Sequence, residues 1–268
     1  MKMTFSLLLF LIGSSAFGQS AKPDTIQHFN SFDGTRIAYQ VKGSGAPVFL
    51  IHGFISNSDS WRRALLYKDL IAAGYQVILP DLRGNGRSDK PHTAEAYMND
   101  AEAKDIIKLA DILKLTSFDV VGYSRGAIIT SRVLLLDERV RKSVLGGMGS
   151  DFTNPQWPRR IMFYEALSGK PVKELEAVIL RIKNEGLDQQ ALAYMQNGQP
   201  CTSKEELGSI KKPVLVICGS EDEDNGSSKE LASLIHGAKY IRVPGDHGGT
   251  SKSKEFSVAV LSFLKREE

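Results

Sequence analysis

The chain has 268 residues, 42% of them hydrophobic, and its 34 basic and 31 acidic residues leave a formal charge of +3. That is enough chain and apolar side chain for one large domain with a substantial core. The charges are mixed along the sequence with no long block of one sign, so nothing in their distribution points to nucleic acid.

The N-terminus, MKMTFSLLLFLIGSSAFGQS, carries Lys2, an apolar run from Phe5 to Ile12, and small residues at Ala16 and Gly18. This is the build of a signal peptide over residues 1–18, and it predicts export to the periplasm or the medium. The run falls well short of the roughly 20 apolar residues of a membrane-spanning helix, so no stable anchor is expected after cleavage.

Residues 19–268 read as one α/β domain, because short β-branched runs alternate with amphipathic segments, the pattern of a mostly parallel sheet covered on both faces. TIQHFNSF (25–32) and RIAYQVKG (36–43) flank Asp33-Gly34-Thr35 and predict an opening hairpin with a tight turn. Buried strands follow at 47–52, 75–81, 118–123, 142–148, 213–219 and 239–245. Helices fit at 60–73, 98–115, 125–136, 228–236 and 254–265, with room for right-handed crossovers. Between Met148 and Lys211 the alternation stops, and RRIMFYEALSG and VKELEAVILRIKNEG run helical without a strand. A helical cap inserted at about 149–210 is the simplest account.

Cys201 and Cys218 have no C-x-x-C spacing and no histidine pair nearby, which suggests neither a metal nor a redox site. Cys218 lies in the apolar strand PVLVICG, where a free cysteine serves as a small buried hydrophobe. Pairing of the two is the alternative open to an exported chain.

The stretch VVGYSRGA, Val120 to Ala127, contains G-x-S-x-G between a strand, SFDVV, and a helix, AIITSRVLLL. A serine on so tight a turn requires Gly122 and Gly126 on either side, because side chains there would strike the strand and the helix. Ser124 is therefore a candidate nucleophile. A hydroxyl attacks well only with a general base in reach and an acid to orient that base. His28, His92 and His236 sit in a hairpin, a polar loop and a helix end, whereas His247 follows a strand in the glycine-rich loop GDHGGT. Sites in open α/β sheets form at such C-terminal strand ends, so His247 is the candidate base. Glu221, Asp222, Glu223 and Asp224 follow the strand PVLVICG; spacing favours Asp222 as the acid, with Asp224 in reserve. Two backbone N–H groups must receive the oxyanion. Arg125 supplies one, and the turn at His52-Gly53 aims the Phe54 amide as the other, with His52 itself read as a brace.

Taken together, HGF at 52–54, DLRGNGRSDKP at 81–91, GYSRG at 122–126, GSED at 219–222 and GDH at 245–247 resemble the α/β-hydrolase superfamily from about Thr25 to Leu264. The resemblance implies a mostly parallel eight-stranded sheet, Ser124 as nucleophile, His247 as base, Asp222 as its orienting acid, and Phe54 and Arg125 amides as oxyanion hole. In DLRGNGRS, Gly84 and Gly86 look like the family's irregular loop beside the site and are read as structural. Relatives that open epoxides or carbon–halogen bonds use an aspartate where this chain has Ser124, which argues against both reactions, while peroxide and carbon–carbon chemistries on serine remain open. A charged residue directly after the serine departs from many relatives, and an ion pair at the base of the cap would account for Arg125.

The expectation is an exported serine hydrolase acting on a small or medium carboxylic ester through an acyl-enzyme, with no cofactor and no metal. Amide or peptide cleavage, including release of N-terminal proline, is an alternative that needs an amine-binding carboxylate in the cap, for which Glu165 and Glu174 are available. A ligand receptor without turnover is the other. Trp157, Met162, Phe163, Tyr164, Tyr194 and Met195 are candidates for an acyl pocket, although helical spacing suits packing within the cap. Oligomeric state is not readable from the sequence.

Overall fold

The computed structural model describes residues 25–265; the signal peptide read at 1–18 lies outside them. Eight strands, β1 (Gln27–Asn30), β2 (Arg36–Lys42), β3 (Pro47–Ile51), β4 (Gln76–Pro80), β5 (Phe118–Tyr123), β6 (Val140–Gly146), β7 (Val214–Gly219) and β8 (Lys239–Val243), form one sheet in the order β1-β2-β4-β3-β5-β6-β7-β8. The pairings of β2 with β1 and β4 are antiparallel and the other five are parallel.

Both faces are covered, so the central strands are apolar throughout and their alternation sorts side chains between two cores. Phe49, Ile51, Ile78 and Val216 pack on one side with α3 (Ala101–Ile112), α4 (Arg125–Leu136) and α9 (Ser228–Leu234). Val48, Leu50, Val77, Leu79, Leu215 and Ile217 pack on the other with α1 (Asp59–Arg62), α2 (Leu65–Ala72) and α10 (Lys254–Lys265). Between β6 and β7 lie α5 (Pro158–Leu167), α6 (Glu176–Asn184), α7 (Gln189–Asn197) and α8 (Lys204–Ser209), with no strand among them. Leu167, Ile182, Leu192 and Met195 give this helical insertion an apolar cluster of its own, which also takes in Tyr97.

Several expectations need correction. The opening hairpin does close on a tight turn, but one residue earlier than Asp33-Gly34-Thr35: Gly34 N–H donates to Ser31 O at 3.1 Å and Ser31 N–H to Thr35 O at 2.8 Å, so Phe32, Asp33 and Gly34 make the turn, with Gly34 at a left-handed φ. Its side chains are drawn to distant partners, Ser31 Oγ donating to Asp105 at 2.5 Å and Asp33 accepting from Arg83 at 2.7 Å. The helix expected at 60–73 is two, because Ala64 is extended (ψ 150°) between the buried Trp61 and Leu66. The helix expected from Met98 begins at Ala101, since Asn99 and Asp100 both have positive φ. Finally, β8 is not a buried strand: at the sheet's edge, Lys239 and Arg242 are exposed and only Val243 is buried.

Candidate functional site

Ser124 sits between β5 and α4 with φ 56° and ψ −123°, a conformation non-glycine residues rarely hold. A Cβ on Gly122 would lie 2.1 Å from the Gly126 carbonyl oxygen, and one on Gly126 would lie 2.2 Å from that of Ile51. The turn is thus sterically closed to any larger residue at either position. The Ser124 N–H donates to Gly146 O at 2.8 Å, which ties the turn to β6.

The loops after β7 and β8 deliver the partners. They approach so closely that a Cβ on Gly219 would stand 2.2 Å from Gly245 O, and Glu221 N–H donates to that same carbonyl at 3.0 Å. His247 consequently reaches Ser124: Nε2 lies 2.9 Å from Ser124 Oγ, and Nδ1 lies 2.9 Å from Asp222 Oδ2. Tyr123 steadies the imidazole from below, with its hydroxyl donating to His247 O at 2.9 Å and its ring centroid 5.5 Å away. Burial acts to raise the Asp222 carboxyl, but hydrogen bonds from His247 and Cys218 outweigh it and hold it below its ordinary range. Asp224, the reserve acid, is exposed and lies 3.4 Å from Arg159 instead.

The amide side of the site is set by His52. Its ring is buried, and Nε2 accepts from Leu82 N–H at 3.0 Å, so Nδ1 carries the proton and donates to Gly53 O at 2.8 Å. Burial also depresses its basicity, consistent with a neutral ring. Fixing Gly53 O orients the whole peptide plane, because the Phe54 N–H points opposite to it. Gly53 lies against the serine, a Cβ there meeting Ser124 Cβ at 3.3 Å. Among the described residues, neither the Phe54 nor the Arg125 amide has a hydrogen-bond partner, which leaves both free to receive an anion. Gly84 and Gly86 have φ of 79° and 50°, and Gly86 leaves no space for a Cβ beside Asp81, whose carboxylate accepts from Ser58 and Arg87 N–H at 2.8 Å each.

Arg125 is ion-paired as anticipated, and its partner is Glu102, both nearly inaccessible. Its Nη1 and Nη2 also donate to Gln199 Oε1 and Met195 O at 3.0 Å each, joining the α4 start to the insertion. Over Ser124 opens a cavity of about 210 Å³, whose wall includes Phe54, Ile128, Met148, Trp157, Phe163 and His247. Of the six acyl-pocket candidates only Trp157 and Phe163 line it; Met195 is buried within the insertion, with Tyr194 packed beside it, and Tyr164 is exposed. Glu165 pairs with Lys170, and neither it nor Glu174 lines the cavity.

For Cys218 the sequence suggests a buried hydrophobe or a partner of Cys201, whereas its Sγ lies 3.4 Å from Asp222 Oδ2. Its position four residues before the acid on a strand leading into the site was the available signal. Both cysteines are unpaired. Asp222, Asp224 and His247 bring potential ligand atoms within 4.8 Å of one another, the one such group among the described residues. Both His247 nitrogens are already engaged by Ser124 and Asp222, so the set is a poor metal site.

A sequence-family profile described as the alpha/beta hydrolase fold matches residues 46–166. The chain is 41% identical over 111 residues, 41% of its length, to a putative non-heme chloroperoxidase of Synechocystis sp., and the match covers 39% of that protein. It is 27% identical over 270 residues to a non-heme haloperoxidase of Rhodococcus erythropolis, covering 87% of this chain and 97% of the other. An esterase from Rhodococcus sp. ECU1013 superposes with a TM-score of 0.70 at 26% identity, over 89% of this chain and 98% of the esterase.

The chain belongs to the α/β-hydrolase superfamily. Its sheet order, with antiparallel pairing confined to β2, is the framework on which this α/β hydrolase sets Ser124, Asp222 and His247 at C-terminal strand ends.

Proposed function

We propose that the protein is a serine hydrolase of carboxylic esters, working through an acyl-enzyme. The observation that carries this reading is the unbroken chain Ser124 Oγ, His247 Nε2, His247 Nδ1, Asp222 Oδ2, with both links at 2.9 Å. In it His247 takes the Ser124 proton as Oγ adds to the carbonyl, and the free Phe54 and Arg125 amides receive the oxyanion. Collapse passes the proton to the departing alcohol; water then attacks the acyl-serine with His247 again as base, releasing the acid. Asp222 keeps the proton on Nδ1 and balances the imidazolium without itself being protonated. Loss of p-nitrophenyl ester hydrolysis and of fluorophosphonate labelling in Ser124→Ala tests the reading, and wild-type rates in that variant would overturn it. A receptor without turnover would fail to label even with Ser124 intact.

The likeness to proteins named haloperoxidase supports a second reaction of the same intermediate, in which hydrogen peroxide replaces water and the acyl-serine is released as a peracid. Ester-dependent oxidation of bromide in the presence of peroxide measures it. Release of N-terminal amino acids is the weaker alternative, because the cavity wall has four arginines and no carboxylate to hold an amine. Export is proposed on the N-terminal sequence, and the mass of the mature chain recovered outside the cytoplasm tests it.

A further inference from the structure

Four arginines, Arg125, Arg159, Arg160 and Arg181, line the cavity over Ser124, and no aspartate or glutamate does. Three are matched by carboxylates outside it: Arg125 by Glu102, Arg159 by Asp224 at 3.4 Å, and Arg181 by Glu185 at 2.8 Å. Arg160 has no carboxylate partner among the described residues. Its Nη2 donates to Pro155 O at 2.8 Å, and its Nη1 reaches Gln196 O and Asn197 O only at 3.5 and 3.4 Å. Its Nε is buried and has no hydrogen-bond partner. Carbonyl oxygens orient a guanidinium but do not neutralise it, so a net positive charge remains on a wall whose apolar part includes Phe54, Ile128, Met148, Trp157 and Phe163 and whose neutral polar part includes Gln196, Gln199 and Asn225. In such partly apolar surroundings an unbalanced cation favours an anion strongly, and a guanidinium fork fits a carboxylate in particular.

We propose that Arg160 selects esters that carry a second, free carboxylate, so that the substrate class is the half-ester or carboxy-substituted ester of a small acid. The proposal rests on the serine-hydrolase reading and adds the charge of the substrate to it. The competing role for Arg160 is structural, as a cap on the last carbonyls of α7, and the test separates the two.

The experiment compares kcat/KM for neutral p-nitrophenyl butyrate with that for mono-p-nitrophenyl glutarate and for 4-(butyryloxy)benzoate, which place the carboxylate on the acid and the alcohol side respectively. Wild type is expected to favour one charged ester by roughly tenfold, mainly through KM, with the preference shrinking as salt is raised. Arg160→Gln is expected to abolish that ratio and Arg160→Lys to restore part of it. Equal turnover of all three esters by wild type, or an Arg160→Gln variant that loses all three in proportion, would overturn the proposal in favour of the capping role. Should no ester be turned over, the serine-hydrolase reading fails on its own, and calorimetric binding of glutarate decides the charge question. Binding that Arg160→Gln weakens about tenfold upholds the carboxylate site; absence of binding to wild type rejects it.

Discussion

Cys218 Sγ and His247 Nδ1 converge on one carboxylate oxygen, Asp222 Oδ2, at 3.4 and 2.9 Å. The Asp222 carboxylate therefore has a second donor from the strand that leads into its loop, and the thiol has an anion as neighbour. Burial and that anion push the Cys218 thiol up to about 12.

Against an ordinary value of about 8.5, this lowers the thiolate fraction at neutral pH by roughly a thousandfold. Iodoacetamide at pH 8 is expected to modify Cys218 at least about a hundredfold more slowly in the folded than in the unfolded protein, as read by mass spectrometry. Equal rates in the two states would contradict the contact.

The backbone at Ser124 holds strain that glycine does not feel, since φ 56° with ψ −123° is reserved largely for glycine. Ser124→Gly is therefore expected to be about 1 kcal/mol more stable than Ser124→Ala, or a melting temperature some 2–4 °C higher, while both lack activity. Paired thermal melts check this.

Removing the partner of Arg125 should be costly, because Glu102 and Arg125 are each only 2% exposed at the side chain. Glu102→Gln leaves a buried guanidinium without its counter-charge, and a loss of about 3–5 kcal/mol in urea unfolding is expected. Faster amide exchange near Met195 and Gln199, which Arg125 also holds, should accompany it.

Asp222 links catalysis to acid stability. Its folded-state pKa lies below the unfolded value of about 3.9, so its contribution is complete above that pH and is lost as pH falls through the folded value. Asp222→Asn should be less stable than wild type at pH 7, and the gap should close as pH drops below about 4. Turnover should fall by roughly 10⁴ at neutral pH, since the amide favours the wrong imidazole tautomer. Urea titrations at several pH values measure the first effect and ester hydrolysis the second.

Much of this was legible in local chemistry. The spacing of Gly122, Ser124 and Gly126 encodes a steric requirement within one turn, and GDHGGT and GSED follow strands whose apolar runs are continuous. What resisted reading depends on distant partners. Glu102, which neutralises Arg125, is set on α3, and that helix begins where Asn99 and Asp100 take positive φ rather than where periodicity begins. Asp33 serves the turn by accepting from Thr35 N–H, but it also accepts from Arg83, fifty positions away, and no local pattern records that. The cavity wall is likewise a product of how α5 meets α7: Phe163 faces the serine while the equally apolar Met195 is buried against Ile182 and Leu192, a choice no heptad-scale pattern records.

The register of β3 against β5 pairs Ile51 with Gly122, two residues before the serine and three before the Phe54 amide. Ser124 and the Phe54 amide, the proposed nucleophile and oxyanion donor, thus follow one paired rung of two adjacent strands, and Gly53 lies close against Ser124 between them. The helical insertion, by contrast, meets the start of α4 through the Arg125 guanidinium and the loop after β7 through Ser150 and Asp151 N–H, and none of these bonds touches the β3–β5 ladder. If Ser124 is the nucleophile proposed above, the insertion's share of the cavity wall, Trp157, Arg159, Arg160 and Phe163, is the part that can be exchanged while the strands that carry Ser124 and the Phe54 amide stay as they are.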